Sequence, residues 1–496
     1  MSEDVETPEL LAEEKVVAWR AVHPVTPLIQ AIKGIAVLFA IVVWQLLDFI
    51  RDRFEDLGQA VPSLPGYTYL IVIGIIAVVL LVIGLVSYLA WRRIRYAIGD
   101  EAVYYHHGIL FRRQRHARLN RIQAVDLVRP LLARFAGLAA VDIQTAGGTS
   151  SNVQIQFLKE DDAQRVRNEI LARAAGVSGS SSEADGETTV EYEAAPEREV
   201  VSVPTGQLIT SILLSLSLVV ALIGGIIFFA IMIWQETWAG LIGMLPAFLA
   251  LGGWFWSRIA GEFGFTLAIS PDGIRSRHGL AETRAQTIPP RRIQAVGITQ
   301  PFLWRYKDWW RIEVNVAGYA NEQSENSSTS QVKNVLLPVG SRIDLERVLW
   351  LILPDLGVDN PREMITALLT GTGDAEGFVA APSRARYLDW FTWRRHGLRV
   401  TRTALLMRGG FFVRRAAIVP HERSQSLALS QGPLERALRI ADLHAHSVQG
   451  PVHTQVHHLP EELTQQILFE QAERARVRRT QEGPEEWMRR VNTLAS

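Results

Sequence analysis

The sequence contains no cysteine among its 496 residues, which excludes disulfides, thiolate zinc sites, thiol redox chemistry and a cysteine nucleophile. It has no excess charge of either sign, because 51 basic side chains balance 51 acidic ones, so overall charge gives no argument for nucleic acid as a partner. The phosphate-binding Gly-Lys-Ser/Thr loop, the Gly-x-Ser-x-Gly elbow, His-Glu-x-x-His and a Gly-x-Gly-x-x-Gly turn after a strand are also missing. We therefore expect no enzyme activity, no catalytic residue and no cofactor.

The sequence does contain one segment that occurs three times. Residues 121–125 (Arg-Ile-Gln-Ala-Val) recur as residues 292–296 and, more loosely, as residues 423–427 (Arg-Ser-Gln-Ser-Leu). A glycine stands fifteen residues before each glutamine, and an arginine stands eleven residues after it. The shared positions are Gly108, Arg121, Gln123 and Arg134 in the first copy, Gly279, Arg292, Gln294 and Arg305 in the second, and Gly410, Arg423, Gln425 and Arg436 in the third. The chain is predicted to be an array of one repeated module.

The repeated glutamines and arginines have two interpretations, structural or ligand-binding. A recurring glutamine can hydrogen bond to unpaired backbone at a bend, and we favour this role over ligand binding. The arginines after each glutamine either position a loop or bind a phosphate headgroup.

Each copy reads as strands followed by one helix. Short alternating segments with glycine turns predict antiparallel strands on both sides of the signature. Helices are predicted to begin near Glu160, Ser341 and Pro460, where acidic or capping residues follow an apolar strand. The fold class is therefore α+β, in modules of about 80 residues.

Four apolar runs are long enough to cross a bilayer, and buried core helices are the less favoured alternative. They cover about residues 28–47, 69–91, 207–234 and 238–257, which makes two transmembrane hairpins. Arginine and lysine next to a span are retained on the cytoplasmic side. They cluster before the first run (Lys15, Arg20), after the second (Arg92, Arg93, Arg95) and after the fourth (Arg258). Both termini and all three modules are thus expected in the cytoplasm. Mid-membrane ionisable groups are missing, which argues against a stand-alone ion-coupled carrier.

The connections differ in character. Residues 176–206 are predicted to be a flexible acidic linker, and residues 476–496 a basic helical tail. Residues 359–395 are too charged and too rich in glycine to span a membrane. Their Trp390, Phe391 and Trp393, beside Arg394 and Arg395, are expected either at the membrane interface or in packing between domains.

Five of the twelve histidines lie close together near the end of the third copy: His444, His446, His453, His457 and His458. Imidazoles on neighbouring strands can bind zinc. Because the other two copies have no equivalent cluster, we interpret these histidines as polar surface and predict no metal site.

Strands around an Arg-Ile-Gln signature, a final helix and attachment to paired membrane helices resemble the bacterial pleckstrin-homology-like (PH-like) domain, bPH2, once filed as a domain of unknown function. Over residues 28–475 the chain is similar to the YdbT-type membrane proteins of bacteria. The resemblance implies PH-like barrels at a bacterial cell membrane. It also implies a role in cell-envelope function or antimicrobial-peptide tolerance, beside a smaller membrane protein with one PH-like module.

These observations divide the chain into nine predicted segments. They are a cytoplasmic N-terminal segment (1–27), transmembrane hairpin 1 (28–91), PH-like module 1 (92–175), the linker (176–206), transmembrane hairpin 2 (207–257), PH-like module 2 (258–358), the connecting segment (359–395), PH-like module 3 (396–475) and the tail (476–496).

The function predicted from the sequence is that of a non-enzymatic, membrane-anchored scaffold. Its modules would bind protein partners at strand edges or grooves, with anionic membrane lipid as a further ligand. One alternative is an accessory subunit of a transport or export complex. Another is a membrane enzyme acting on lipid or cell-wall precursors, which a pocket lined by His106, His107 and His116 would favour.

Overall fold

The computed structural model describes residues 19–26, 66–108, 113–145, 152–174, 198–235, 239–270, 273–317 and 334–481. The chain divides into two compact units, Met1–Tyr192 and Glu193–Ser496. The first predicted span (28–47), residues 176–197 of the linker and the tail after Gln481 lie outside the described residues.

The first module consists of two antiparallel sheets and a closing helix. The first sheet has the order β1-β2-β3-β4, with β1 (Arg20–Ala21), β2 (Arg95–Ile98), β3 (Ala102–His107) and β4 (Arg113–Arg118). The second sheet contains β5 (Ile122–Pro130), β6 (Leu138–Thr145) and β7 (Val153–Lys159), and a short helix α2 (Leu131–Phe135) connects β5 to β6. Strand β6 lies in the middle and pairs with both β5 and β7. Helix α1 (Gly66–Arg92) lies between β1 and β2, and α3 (Glu160–Ala174) ends the module.

The second module repeats this order. Its strands are β8 (Arg198–Ser202), β9 (Thr266–Ser270), β10 (Gly273–His278), β11 (Glu282–Ile288), β12 (Ile293–Pro301), β13 (Trp310–Val316) and β14 (Val335–Gly340). Three helices lie between β8 and β9: α4 (Thr205–Leu213), α5 (Leu216–Trp234) and α6 (Ala239–Glu262). The closing helix α7 (Arg342–Ile352) starts where the sequence predicts, since Ser341 and Asp344 form a capping box.

The third module follows helix α8 (Pro361–Leu369). Its elements are β15 (Val379–Ala380), β16 (Gly397–Val400), β17 (Ala404–Gly409), β18 (Val413–Pro420), β19 (Ser426–Ser430), a short helix α9 (Pro433–Ala437), β20 (Ile440–His446), β21 (Gln455–Pro460) and the closing helix α10 (Glu461–Gln481). Three copies of an α+β module therefore confirm the α+β part of the predicted fold class.

The module boundaries predicted from the sequence begin too late. The first strand of each module precedes its apolar helices: β1 lies in the predicted N-terminal segment, β8 in the predicted linker 176–206, and β15 in the predicted connecting segment. Strands β1 and β15 have only two residues each, too few to show an alternating pattern. Strand β8 has five residues, Arg-Glu-Val-Val-Ser, which do not alternate. In the third module, residues 381–396 therefore occupy the position that apolar helices occupy in the other two.

The apolar helices differ in part from the predicted spans. Among the residues that the structure describes, α5 is the one helix long and apolar enough to cross a membrane. The predicted span 207–234 is wrong as a single helix, because it breaks at Leu214 and Ser215. Its first part, α4, is anchored in the second module, where Leu208 and Ile212 are fully buried. Helices α1 and α6 lie where the second and fourth spans were predicted.

Modules two and three share one seven-stranded sheet. Strand β12 pairs antiparallel with β18, from Val296 opposite Ile418 to Pro301 opposite Val413. Ala295 of the second module lies in the hydrophobic core of the third. The second unit thus contains two modules joined edge to edge.

Candidate functional site

The antiparallel strands determine which connections share an end of a module. In each module the first strand is followed by the apolar helices or, in the third module, by residues 381–396. We call the end of the module where these segments begin the hairpin end. Because successive strands run in opposite directions, every second connection lies at the same end of the module. The turn with the repeated glycine and the short helix after the signature strand therefore lie at the hairpin end. The signature arginine lies at the opposite end, which we call the far end. The repeat signature is therefore divided between the two ends.

At the far end, the signature arginines close 3-10 turns that connect the two sheets. Arg121, Arg292 and Arg423 are each the last residue of such a turn. Gln123 and Gln294 come two residues later, where the pairing of the next strand shifts register as in a β-bulge. The backbone N–H of Gln425 donates to the His446 carbonyl at 3.1 Å. All three glutamines thus lie where the backbone bends into the second sheet.

At the hairpin end, the three later arginines lie on equivalent short helices. Arg134 is in α2, Arg305 is in the 3-10 helix Phe302–Lys307, and Arg436 is in α9. The guanidinium of Arg305 lies 5.0 Å from the Phe302 ring centroid and donates to the Phe411 carbonyl. Arg436 donates to the Gln431 carbonyl at 3.5 Å.

Each of these arginines has exposed apolar neighbours on its own short helix. Phe135, Tyr306 and Leu434 are 81%, 85% and 67% exposed. In the second module the short helix is bonded to the base of the apolar helices, because the buried Trp304 ring nitrogen donates to the Ser211 carbonyl of α4 at 2.8 Å. In the first, Ala133 of α2 belongs to a cluster that packs on Val25, which follows β1. The short helices therefore lie where the chain leaves for its apolar helices.

In the third module, aromatic residues are exposed at this end without apolar helices. Trp390 and Phe391 are 72% and 53% exposed, and Phe411 and Phe412 are 39% and 54% exposed. The Phe391 ring lies 4.4 Å from Trp390, 6.1 Å from Phe411 and 6.4 Å from Phe412. We call these four residues the aromatic patch. Because Pro301 pairs with Val413 and Arg305 contacts Phe411, the patch lies at the same end of the second unit as α4.

Not all of the predicted interfacial residues belong to the patch. Trp393 packs on the small cluster Ala381, Ala385 and Ile440, so it is part of the fold. Arg395 is 6% exposed and buried in the third module, whereas Arg394 is exposed and lies over the Trp393 ring. The sequence could not separate the two arginines, because they are adjacent.

The five neighbouring histidines do not form one cluster. His444 and His446 stack on each other at 6.3 Å on β20, and His453 is an exposed residue beside a cleft of about 220 Å³. The His457 imidazole hydrogen bonds to Asp442 at 2.5 Å, which raises the pKa of His457. His458 instead faces Asp389 and lies near His396, two residues more than 60 positions earlier that the sequence did not indicate.

The pocket that would favour an enzyme is not formed by the histidines named for it. His106 and His107 are consecutive on β3 and point to opposite faces of the sheet. His116 lies opposite Tyr104 and so shares the face of His106. The His106 ring lies 4.3 Å from the Trp19 ring with a tilt of 36°, while the His107 ring lies 5.2 Å from that of Tyr105.

The fold and this end-to-end arrangement define a chain of three PH-like modules, two of which have apolar helices inserted after the first strand. The family model described as "Bacterial PH domain" matches residues 56–174, 203–356 and 348–475. The chain belongs to this family.

A curated relative is similar over part of the chain. The UPF0699 transmembrane protein YdbT of Bacillus subtilis (strain 168) is 24% identical over an alignment of 307 residues, which covers 57% of this chain. The chain spans 61% of that relative's length.

Proposed function

We propose that the protein is a non-enzymatic, membrane-anchored scaffold whose three PH-like modules lie in the cytoplasm and bind anionic lipid and a protein partner. Two hairpins of four transmembrane helices would anchor it, with both termini in the cytoplasm. The observation that carries the proposal is the hairpin end, where every module combines an arginine with exposed apolar side chains. Such a combination suits the headgroup region, where cations meet phosphate and apolar side chains meet acyl chains.

The membrane part of the proposal rests on the apolar helices and their flanks. Helix α5 has the length and the apolar surface of a spanning helix, with 6% of its apolar window buried. Arg92 is the last residue of α1, Arg93 follows it, and Arg258 lies in the last turns of α6. Basic residues at these positions support a cytoplasmic location of the modules. The similar Bacillus protein is named a transmembrane protein.

A label in the aromatic patch tests the lipid contact, and the lack of cysteine makes single-site labelling direct. In lipid nanodiscs, bimane on Phe412→Cys is expected to be quenched by brominated lipid, because the ring would lie among headgroups and upper acyl chains. Bimane on Asp359→Cys is the control. The Asp359 side chain is 95% exposed and pairs with Arg402, which lies in the turn between β16 and β17 at the far end. A bimane label at position 359 should therefore lie away from the lipid and keep its fluorescence.

The same label tests the arginine. Adding anionic lipid should increase quenching at Phe412→Cys. Arg305→Gln should reduce this increase, because one arginine near the membrane surface contributes about 1 kcal/mol to the free energy of binding anionic lipid. Equal quenching at the two labelled sites would contradict the lipid contact.

For the protein partner, the chain itself shows how its modules join. In the second unit, β12 pairs with β18 of the next module, so these edges are closed to other strands. Strand β19 is the third module's equivalent of β12, and within the described residues it pairs with β20 alone. It has no charged residue (Ser-Leu-Ala-Leu-Ser) and is half exposed. An uncharged edge of this kind accepts a further strand.

We propose that this edge binds a separate protein with one PH-like module, through the strand equivalent to β18. A second copy of this chain is less suitable, because Arg115 and Arg118 of the equivalent strand β4 stand where β18 has Ala417 and Pro420. Charges on an edge strand oppose pairing. The smaller membrane protein implied by the family resemblance is the expected partner.

A peptide that copies residues 404–420, the hairpin of β17 and β18, tests the edge on the full chain. The register of Gly297 opposite Ala417 predicts that Ala428→Cys forms a disulfide with a peptide cysteine at position 417. A cysteine at position 416 should react poorly, because a one-residue shift turns the side chain to the other face.

Equal trapping of the two peptides, or none, would contradict strand addition at β19. Crosslinking between chains carrying Ala428→Cys and Arg115→Cys would indicate self-association instead. The partner itself is identified by crosslinking in native membranes, gentle solubilisation and mass spectrometry. Recovery of the protein alone, with one small molecule enriched, would argue against a scaffold.

A further inference from the structure

Three metal-ligating side chains from distant parts of the chain meet in the third module. Asp389 and His396 lie in residues 381–396, and His458 lies on β21. The Asp389 Oδ2 atom is 3.4 Å from His396 Nε2 and 3.9 Å from His458 Nδ1. One ligand atom from each residue lies within 4.8 Å of the other two. Ligands 2.0–2.1 Å from a tetrahedral zinc ion are about 3.3 Å apart, so a small closure of this triangle would coordinate one ion.

The two imidazoles have the surroundings of metal ligands. His396 is 5% exposed, so its imidazole is almost completely shielded from water. The buried His458 Nδ1 atom has no hydrogen-bond partner among the described residues. Leaving a buried nitrogen unpaired costs free energy, and coordination of a cation would give this nitrogen a partner.

Further polar groups lie behind the three ligands. His458 Nε2 faces Glu435 Oε1 at 3.6 Å, which resembles the carboxylate behind a zinc-bound imidazole. The Thr392 hydroxyl hydrogen bonds to Asp389 Oδ2 and lies 3.3 Å from His396 Nε2. The His458 amide donates to Asp442 at 2.8 Å. These contacts hold the three ligands in place.

We infer that Asp389, His396 and His458 bind one divalent cation of the zinc class, with an open fourth position. Two imidazoles and one carboxylate suit zinc, cobalt or nickel rather than calcium or magnesium. The ion would fasten residues 381–396, which include Trp390 and Phe391, to β21. The site lies beside the aromatic patch, but its test measures zinc binding, so the results of the lipid and strand-edge tests do not decide it.

The test uses the full-length protein in detergent, stripped with chelator and titrated with zinc against a chromophoric indicator. We expect one equivalent to bind. Asp389→Asn, His396→Gln and His458→Asn should each weaken binding by more than the roughly 10–100-fold that loss of an outer partner costs. Asparagine is chosen at position 458 because it tolerates the positive φ of 61° found there.

The matched control is the double variant His444→Gln and His446→Gln, which removes two other histidines of the same module. It should bind zinc as the native protein does. Loss of zinc in this control together with retention in the three ligand variants would overturn the assignment. A native protein that takes up no cobalt with the visible spectrum of a tetrahedral site would overturn it as well, whatever the variants' folding.

Discussion

Replacement of Asn315 by alanine is expected to lower the free energy of unfolding of the second unit by about 3–5 kcal/mol, since each buried group left unpaired costs about 1–3 kcal/mol. Asn315 is 2% exposed at the end of β13 in the second module. Its amide nitrogen donates to the Val448 and Val452 carbonyls at 3.2 and 3.0 Å, and its oxygen accepts from the Val452 amide at 2.9 Å. One side chain therefore pairs three backbone groups of the third module.

The measurement is thermal unfolding in detergent, where a loss of this size lowers the midpoint by several degrees. Asn315→Asp keeps the acceptor and loses both donors, so it should also be strongly destabilised. Asn360→Ala is the control, because its side chain makes an exposed bond to Glu363 and should change stability by less than about 0.5 kcal/mol. A native midpoint for Asn315→Ala would show that the two modules do not depend on this contact.

The sequence was sufficient for the repeated parts of each module. Alternating patterns predicted strands such as β3, β9, β10, β16 and β17, and capping residues predicted where α3, α7 and α10 begin. Both signals are local, because strand alternation and helix caps depend on neighbours within a few residues. The first strands were missed because β1 and β15 have two residues each.

Pairing between modules could not be predicted from one sequence. Nothing in residues 293–301 identifies β18 as the partner of β12, because an apolar pattern indicates that a strand is buried but not which strand it pairs with. The joined sheet depends on contacts more than 100 residues apart, such as Arg414 donating to Gln300 at 2.9 Å. The repeat nevertheless predicts β19 as the equivalent edge once one such pair is known.

The candidate sites show the same limit. The repeat revealed Arg134, Arg305 and Arg436, but their common end of the module follows only from the order of strands in the sheets. The histidine-rich segment includes His458, which the sequence predicts to be polar surface. Its neighbours Asp389 and His396 come from a segment without histidine clusters, and the fold alone brings them together.

The buried arginines under α8 give the second large effect. The Arg395 guanidinium donates to the Leu369 and Gly371 carbonyls, both at 2.9 Å. Arg408 donates to the Ala367 carbonyl at 2.6 Å and to that of Gly373. These carbonyls lie at the C-terminal end of α8, where cations are stabilising. Two buried cations thus complete one helix end.

Arg395→Met is expected to destabilise the second unit by about 2–4 kcal/mol, because two hydrogen bonds to a charged donor, each worth about 1.5–3 kcal/mol, are lost and two carbonyls stay unpaired. The loss is partly offset, since burial and the neighbouring Arg414 lower the pKa of Arg395 to about 9, which shows that its charge is costly there. Arg395→Lys should recover part of the loss through one carbonyl.

Arg394→Met is the matched control for this prediction, because the two arginines are adjacent and have the same predicted role. Arg394 is exposed over the Trp393 ring at 5.4 Å, and its loss should cost less than about 1 kcal/mol. Residues 370–396 connect α8 to β16 and include Trp390 and Phe391. Arg395→Met should therefore also increase protease cleavage in this segment, whereas Arg394→Met should not. Equal unfolding midpoints and equal cleavage for the two variants would mean that Arg395 does not hold residues 370–396, the segment with Trp390 and Phe391, in place.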